Sequence, residues 1–177
     1  YFKVNQSKGF RLNTVKAFLK PIKYRKNLKI FTNCEVSNLI IEKNKVTGIR
    51  VFDKQKEINI ICNKEVVLSA GSIGSPKILE LSGIGNPDVL RKFGIKVKVE
   101  SKNVGENLQD HLQLRVIYKL ENANTLNQQI NSPFGKLKIG LEYFLNRSGP
   151  MSMAPSQLGV FAMSDSSFVM PNLQFHV

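Results

Sequence analysis

Apolar positions switch from helical to strand spacing and back along this chain, and the switches predict its elements. Val15, Phe18, Leu19 and Ile22 recur on one helix face behind Asn13, a side chain suited to an N-cap, and Pro21 limits how far that helix runs. Leu28 to Thr32 predicts a strand. Three β-rich runs follow, Val36 to Ile41, Val46 to Phe52 and Ile58 to Cys62, separated at hairpin distance by Lys43-Asn44-Lys45 and Lys54-Gln55-Lys56. An antiparallel meander is the natural product of that pattern. Val66-Val67-Leu68 then lacks alternation, which predicts a strand buried on both faces, as in a parallel sheet.

Punctuation defines the next elements. Ser75 is placed to cap a helix, Pro76 suits its first turn and Gly83 can close it in the left-handed conformation. The same order recurs with Asn86, Pro87, then Val89, Leu90 and Phe93, then Gly94, so two short capped helices are predicted. Asn103 to His111 reads as a loop and Leu112 to Leu120 as an alternating strand. A helix over Leu137 to Leu145, closed by Gly149-Pro150, and strands near Leu158 to Met163 and Leu173 to Val177 would belong to a second sheet. No internal repeat or low-complexity tract interrupts the chain, and the composition shift near His111 marks the best domain boundary.

At 177 residues with 42% hydrophobic content the chain can bury an ordinary core. No apolar stretch approaches the roughly 18 residues that suggest a membrane span. No signal peptide is visible, which leaves the compartment open. The net charge of +13 is uneven: residues 1–34 carry nine Lys or Arg and no acid, while Asp165 is the one charged residue in 148–177. The lysines are scattered over polar faces without interleaved stacking aromatics, which argues for a solvated surface and against nucleic-acid binding. Cys34 and Cys62 lack any metal-ligand spacing, so they read as buried thiols, or as a disulfide if the protein is secreted, and no metal site is expected. Asn5-Gln6-Ser7 and Asn146-Arg147-Ser148 match the glycosylation pattern at a frequency that chance explains.

The chemistry concentrates after the buried run, where Ala70 and Gly71 lead into Ser72-Ile73-Gly74-Ser75-Pro76. A strand emptying through small residues into a helix presents bare N–H groups that a nucleotide cofactor can approach, although small residues also suit a tight packing turn. The stretch from Gly71 to Gly85, with its Ser-Pro and Ser-Gly-Ile-Gly, resembles the second signature of the glucose-methanol-choline (GMC) oxidoreductases. Asn103-Val104-Gly105-Glu106-Asn107-Leu108-Gln109-Asp110-His111 resembles that family's VGxNLQDH loop. Val15 to Pro21 with Asn27-Leu28 is similar to its AFLxP…NL segment. Arg147-Ser148-Gly149-Pro150 and Pro171 to His176 resemble stretches of insect members related to glucose dehydrogenase.

The resemblance implies an α/β, Rossmann-like part of an FAD-binding domain with a three-stranded β-meander over residues 1–111. Part of an α+β substrate domain with an antiparallel sheet would occupy 112–177. It implies FAD as cofactor, an alcohol or sugar hydroxyl as substrate, and oxygen or a quinone as electron acceptor. Cofactor contacts fall on Val36, Ala70, Gly71, Asn107 and Asp110. The family's Gly-x-Gly-x-x-Gly turn and its C-terminal His-His or His-Asn pair have no counterpart here, so no catalytic residue is assigned and the chain reads as the middle of a longer enzyme. A degenerate relative that keeps the fold and binds a partner is the alternative.

Ser75 and Ser82 lack a Gly-x-Ser-x-Gly elbow and read as helix-end caps. Neighbouring side chains in an extended segment point apart, so Asp110 and His111 make a poor dyad and read as loop-fixing residues. His176 reads as a core histidine on a terminal strand.

Overall fold

The computed structural model describes residues 5–54, 56–153, 156 and 158–176. Two compact units are present: Ile30–Arg115, and Tyr1–Lys29 together with Val116–Val177. In chain order the elements are β1 (Gln6–Ser7), β2 (Phe10–Arg11), a π-helical turn (Val15–Leu19), β3 (Cys34–Glu42), β4 (Lys45–Asp53) and β5 (Lys56–Ile61). They continue with α1 (Gly71–Leu81), β6 (Ile84–Gly85), α2 (Pro87–Lys92), β7 (Val99–Glu100), α3 (Leu126–Asn131) and α4 (Pro133–Asn146). A 3-10 turn (Pro150–Ser152), β8 (Gly159–Ala162) and β9 (Leu173–His176) complete the order.

In Ile30–Arg115 the meander forms as its sequence dictates, with strand order β3-β4-β5 and both pairings antiparallel. Lys43 and Asn44 at φ +48° and +61° give the doubly left-handed two-residue turn that matches strand twist. Val51 of the central strand faces Val36 on one side and Ile58 on the other. The pairing of β3 is offset between Val36 and Asn38 and again between Ile40 and Ile41, which adds local twist.

Helix α1 packs on β3, and Leu39, Val51, Ile78 and Leu90 form the buried centre. Ser82, 2% exposed, stitches the two elements. Its Oγ accepts from the Leu39 N–H at 2.8 Å and donates to the Ile78 carbonyl at 2.5 Å. Leu39 lies on the outer strand of the meander, so this serine satisfies a backbone donor that would otherwise be buried without a partner. Gly83 at φ +88° then closes α1 as its sequence position predicts, and a Cβ there would sit 2.4 Å from the Lys96 carbonyl oxygen. Asn86 caps α2 by accepting from the Asp88 N–H at 3.0 Å, and β6 and β7 pair in parallel across that helix.

Several expectations need correction. Helix α1 begins at Gly71, before Ser75, because Gly71 turns the chain at φ +84° and small residues fill the first turn. Ser75 reaches back to accept from the Ala70 N–H at 3.0 Å, and Pro76 sits within the helix. The run at 66–68 pairs with no strand among the described residues, and Val67 is 79% exposed. Residues 28–32 and 112–120 likewise form no ladder. Alternation marks which way side chains point, but a strand also needs a neighbour whose N–H and C=O groups are free. The first predicted helix is reduced to the π-helical turn, where Lys20 N–H donates to the Val15 carbonyl at 2.7 Å, although Asn13 does accept from the Lys16 N–H at 2.9 Å.

In the other unit, the β1–β2 hairpin is held to α4 by aromatic contacts. The Phe10 and Tyr143 rings meet edge to face at 6.3 Å, and the Arg147 guanidinium lies 4.8 Å and 5.0 Å from their centroids. The Tyr143 hydroxyl donates to the Gly9 carbonyl at 3.2 Å, and the Gln6 amide donates to the Ser152 carbonyl. Helix α4 extends the predicted helix back to Pro133, capped by Ser132, and ends on Arg147 at φ +54°. Helix α3 was not foreseen. Its signal is the reciprocal cap in which Thr125 Oγ1 accepts from the Gln128 N–H and Gln128 Oε1 accepts from the Thr125 N–H. Strands β8 and β9 pair antiparallel at the predicted places, with Val177 outside the described residues. His176 is exposed on β9 and not in a core, its Nδ1 3.4 Å from Ser156 Oγ. Cys34 and Cys62 are half-buried free thiols.

Candidate functional site

The start of α1 is the part of the fold best shaped to receive a ligand. A helix leaves its first N–H groups without intrahelical partners, and at Ala70 no side chain caps them. Gly71 bears a left-handed backbone, and nothing lies within 4 Å of where a Cβ would project. Its backbone is therefore open to close approach, which a side chain would obstruct. The partial positive charge of an eleven-residue helix points out of the same end.

Beside this helix start lies an open hollow of about 530 Å³. Ser72, Ile73, Pro76 and Lys77 form one wall, and the loop from Gly105 to Gln109 forms the other. Ile73, Pro76, Lys77 and Glu80 share a helix face because they recur at three and four residues. That spacing was visible in the sequence and would have added Lys77 and Glu80 to the candidate residues. Gly105, at φ +82°, brings the loop against Glu80, whose Oε1 lies 3.1 Å from where a Gly105 Cβ would sit.

The five residues expected to contact a cofactor are distributed as follows. Asn107 lines the hollow at φ +56°, its Oδ1 accepting from the Gln109 amide at 3.1 Å. Ala70 and Gly71 lead directly into the wall formed by Ser72 and Ile73. Asp110 lies just beyond it, with its Oδ1 accepting from the His111 N–H at 2.8 Å, a loop-fixing contact. Val36 sits on β3 away from the hollow, but its neighbour Glu35 meets Lys77 at 3.7 Å, linking the meander to the helix wall. Glu35 also borders a second, shallower hollow with Asn33, Phe52 and Lys54. All these residues belong to the Ile30–Arg115 unit.

The hollow offers backbone donors, side-chain amides, the Lys77 ammonium and the Glu80 and Glu106 carboxylates, a mixed lining whose donors suit ribose or carbonyl oxygens and whose carboxylates suit hydroxyl groups. It contains no nucleophile–base pair, and no cluster of three metal-ligating side chains occurs among the described residues.

The family model for GMC oxidoreductases matches residues 1–113. The oxygen-dependent choline dehydrogenase of Staphylococcus xylosus is 38% identical over 171 residues, covering 95% of this chain and 30% of that protein. The enzyme of the same name from Klebsiella pneumoniae is 35% identical over 173 residues, with 95% and 30% coverage. The chain thus spans about 30% of the length of the curated relatives it matches. A solved formate oxidase from Aspergillus oryzae, studied for modification of its FAD, superposes with a TM-score of 0.74 at 28% identity, covering 88% of this chain and 27% of that one. A fungal aryl-alcohol oxidase gives a TM-score of 0.77 at 20% identity, with 88% and 28% coverage, a likeness of fold.

Proposed function

This chain belongs to the GMC oxidoreductase family, and on that premise we propose that the Ile30–Arg115 unit forms one side of an FAD site in a polypeptide that oxidises an alcohol hydroxyl. The observation that carries the proposal is the uncapped start of α1 at Gly71, open to close approach and set beside the hollow walled by Ser72, Ile73 and Asn107. These residues fit part of a dinucleotide: bare N–H groups at a helix start donate to phosphate or carbonyl oxygens, and the helix dipole favours negative charge there.

Bound FAD supplies a hydride acceptor for the carbon that bears the substrate hydroxyl. This chain's residues position and polarise. Gly71, Ser72 and Ile73 would hold the cofactor through their N–H groups, and the small Ala70 would leave room for it. Asn107 has its amide oxygen engaged by Gln109 and so offers its Nδ2 to the ligand. Asp110, whose Oδ1 accepts from the adjacent His111 N–H, would contact the cofactor from the end of the loop that carries Asn107. Val36 would contact the cofactor through its backbone, on the strand whose Glu35 meets Lys77 of the helix wall. The group that takes the hydroxyl proton is not assigned to any residue of this chain.

Residues 1–111 are assigned to the FAD domain and 112–177 to a substrate domain with an antiparallel sheet. The compact units differ from this assignment in grouping residues 1–29 with 116–177. The names of the curated relatives favour a small alcohol over a sugar as substrate, and oxygen over a quinone as acceptor.

The test is to purify the natural polypeptide that carries this sequence and record its flavin absorbance, then repeat with Gly71→Val. Bound FAD in the wild type, depleted in a folded variant, supports the assignment. A protein without flavin that does not reconstitute with FAD would instead be the degenerate, partner-binding relative.

A further inference from the structure

One side chain spans the gap between α1 and the loop that faces it. Glu80, half-buried, is the last residue of the α1 face that carries Ile73, Pro76 and Lys77. Its Cγ lies 3.2 Å from where a Cβ on the buried Gly85 would sit, and Leu90, 1% exposed, comes within 3.5 Å of the same point. Its carboxylate reaches the loop, with Oε1 3.1 Å and Cδ 3.7 Å from the position of a Gly105 Cβ. The stem thus rests on the core and the tip on the loop, and both approaches are possible because positions 85 and 105 carry no side chain. The four ion pairs among the described residues use Glu57, Glu35, Asp88 and Glu100, so Glu80 meets the loop by shape and not by pairing.

The loop is tethered at its root and loose beyond it. Ser101 N–H donates to the Gly85 carbonyl at 2.9 Å, Val104 N–H to the Ser101 carbonyl at 3.2 Å and Glu106 N–H to the Asn103 carbonyl at 3.3 Å. Past Glu106 the hydrogen bonds among the described residues are local, from the Gln109 amide to Asn107 and from the His111 N–H to Asp110. Local bonds shape a segment but do not fix its distance from a neighbouring helix. From this we infer that Glu80 is a positioning residue, a spacer between Gly85 and Gly105 that sets the width of the hollow separating α1 from the segment that carries Asn107. Close-packed contacts transmit small displacements, so shortening the spacer lets Asn107 shift relative to the helix start. The inference rests on the flavin reading of that hollow and adds a residue that works through the loop, without touching the cofactor.

The experiment is a double-mutant cycle in the natural polypeptide with FAD affinity as the readout, measured by titrating the apoprotein and following flavin fluorescence, together with the position of the flavin absorbance band. Glu80→Ala should weaken FAD binding at least about threefold and move the band. Glu80→Gln keeps the length of the spacer and should retain both. Gly105→Ala should weaken binding further, since its methyl meets the carboxylate and its φ of +82° strains any side chain. The backbone strain is common to both backgrounds and cancels in the cycle, so Glu80→Ala combined with Gly105→Ala should lose less than the product of the single losses. Should Gly105→Ala fail to fold, the contrast between Glu80→Ala and Glu80→Gln, with amide exchange across residues 105–109, reads the same spacer. Glu80→Ala binding FAD like the wild type, Glu80→Gln behaving like Glu80→Ala, or losses that simply multiply would each overturn the inference. A wild type that cannot be loaded with FAD instead overturns the flavin reading beneath it, an outcome told apart before any variant is made.

Discussion

Replacing Ser82 with alanine removes one oxygen at the junction of α1 and β3, and the structure sets how much that should matter. The Ile78 carbonyl keeps a partner, because the Ser82 N–H also donates to it at 3.1 Å. The Leu39 N–H loses its acceptor, on a residue only 5% exposed and next to a site only 2% exposed. Water has little access, so the cost is that of a buried donor left unpaired, about 1–3 kcal/mol. Ser75→Ala is the matched control. It deletes a hydroxyl that accepts from the Ala70 N–H at 3.0 Å, but Ala70 is exposed and water replaces the bond, so about 0.5 kcal/mol is expected. Urea denaturation at unchanged m-value reads both costs, and amide exchange at Leu39 reads the cause. The reasoning is refuted if Ser82→Ala costs no more than Ser75→Ala, or if Leu39 exchange is unaltered.

The remaining predictions concern the glycines, a cap and one carboxylate. Gly71→Ala places a side chain at φ +84° in open space, costing about 1–2 kcal/mol of stability, measured by denaturation, while lowering FAD content measured by absorbance. Gly83→Ala combines a similar φ of +88° with a 2.4 Å approach to the Lys96 carbonyl, so it should destabilise more than Gly71→Ala in the same denaturation series. Thr125→Ala breaks the cap of α3 and should cost about 1 kcal/mol, with faster amide exchange across residues 126–131. The backbone N–H of Ser167, 2.8 Å away, and then its hydroxyl hold the Asp165 carboxyl below its ordinary pKa. The turn it anchors is therefore favoured above the ordinary carboxylate pKa and loses that contribution as pH falls through the depressed value. An NMR titration should show Asp165 protonating later, on acidification, than a carboxylate of ordinary pKa.

What the sequence determined by itself was whatever depends on neighbours in the chain. The meander was legible because each of its strands pairs with the next across a short turn, and Lys43-Asn44 can adopt the required left-handed pair. The Asn86 cap and the Gly83 closure were legible because caps act within one turn of their own residue, whereas α4 closes on Arg147, ahead of the expected Gly149-Pro150. The family signature was readable for the same reason, as a contiguous run from Gly71 to Gly85 followed by the loop to His111.

Tertiary structure decided what depends on partners distant in sequence. Residues 66–68 and 112–120 have strand-like side chains, but a ladder forms only where another backbone aligns alongside, and no strand among the described residues pairs with either segment. Ser82 looked like a helix-end serine. Only folding brings it to Leu39, 43 residues away, and turns its hydroxyl into the acceptor for a buried amide. The hollow beside α1 likewise needs Gly105 to Gln109 folded against the helix. Local conformational preference is written residue by residue, whereas pairing, burial and the walls of a site are properties of segments brought together.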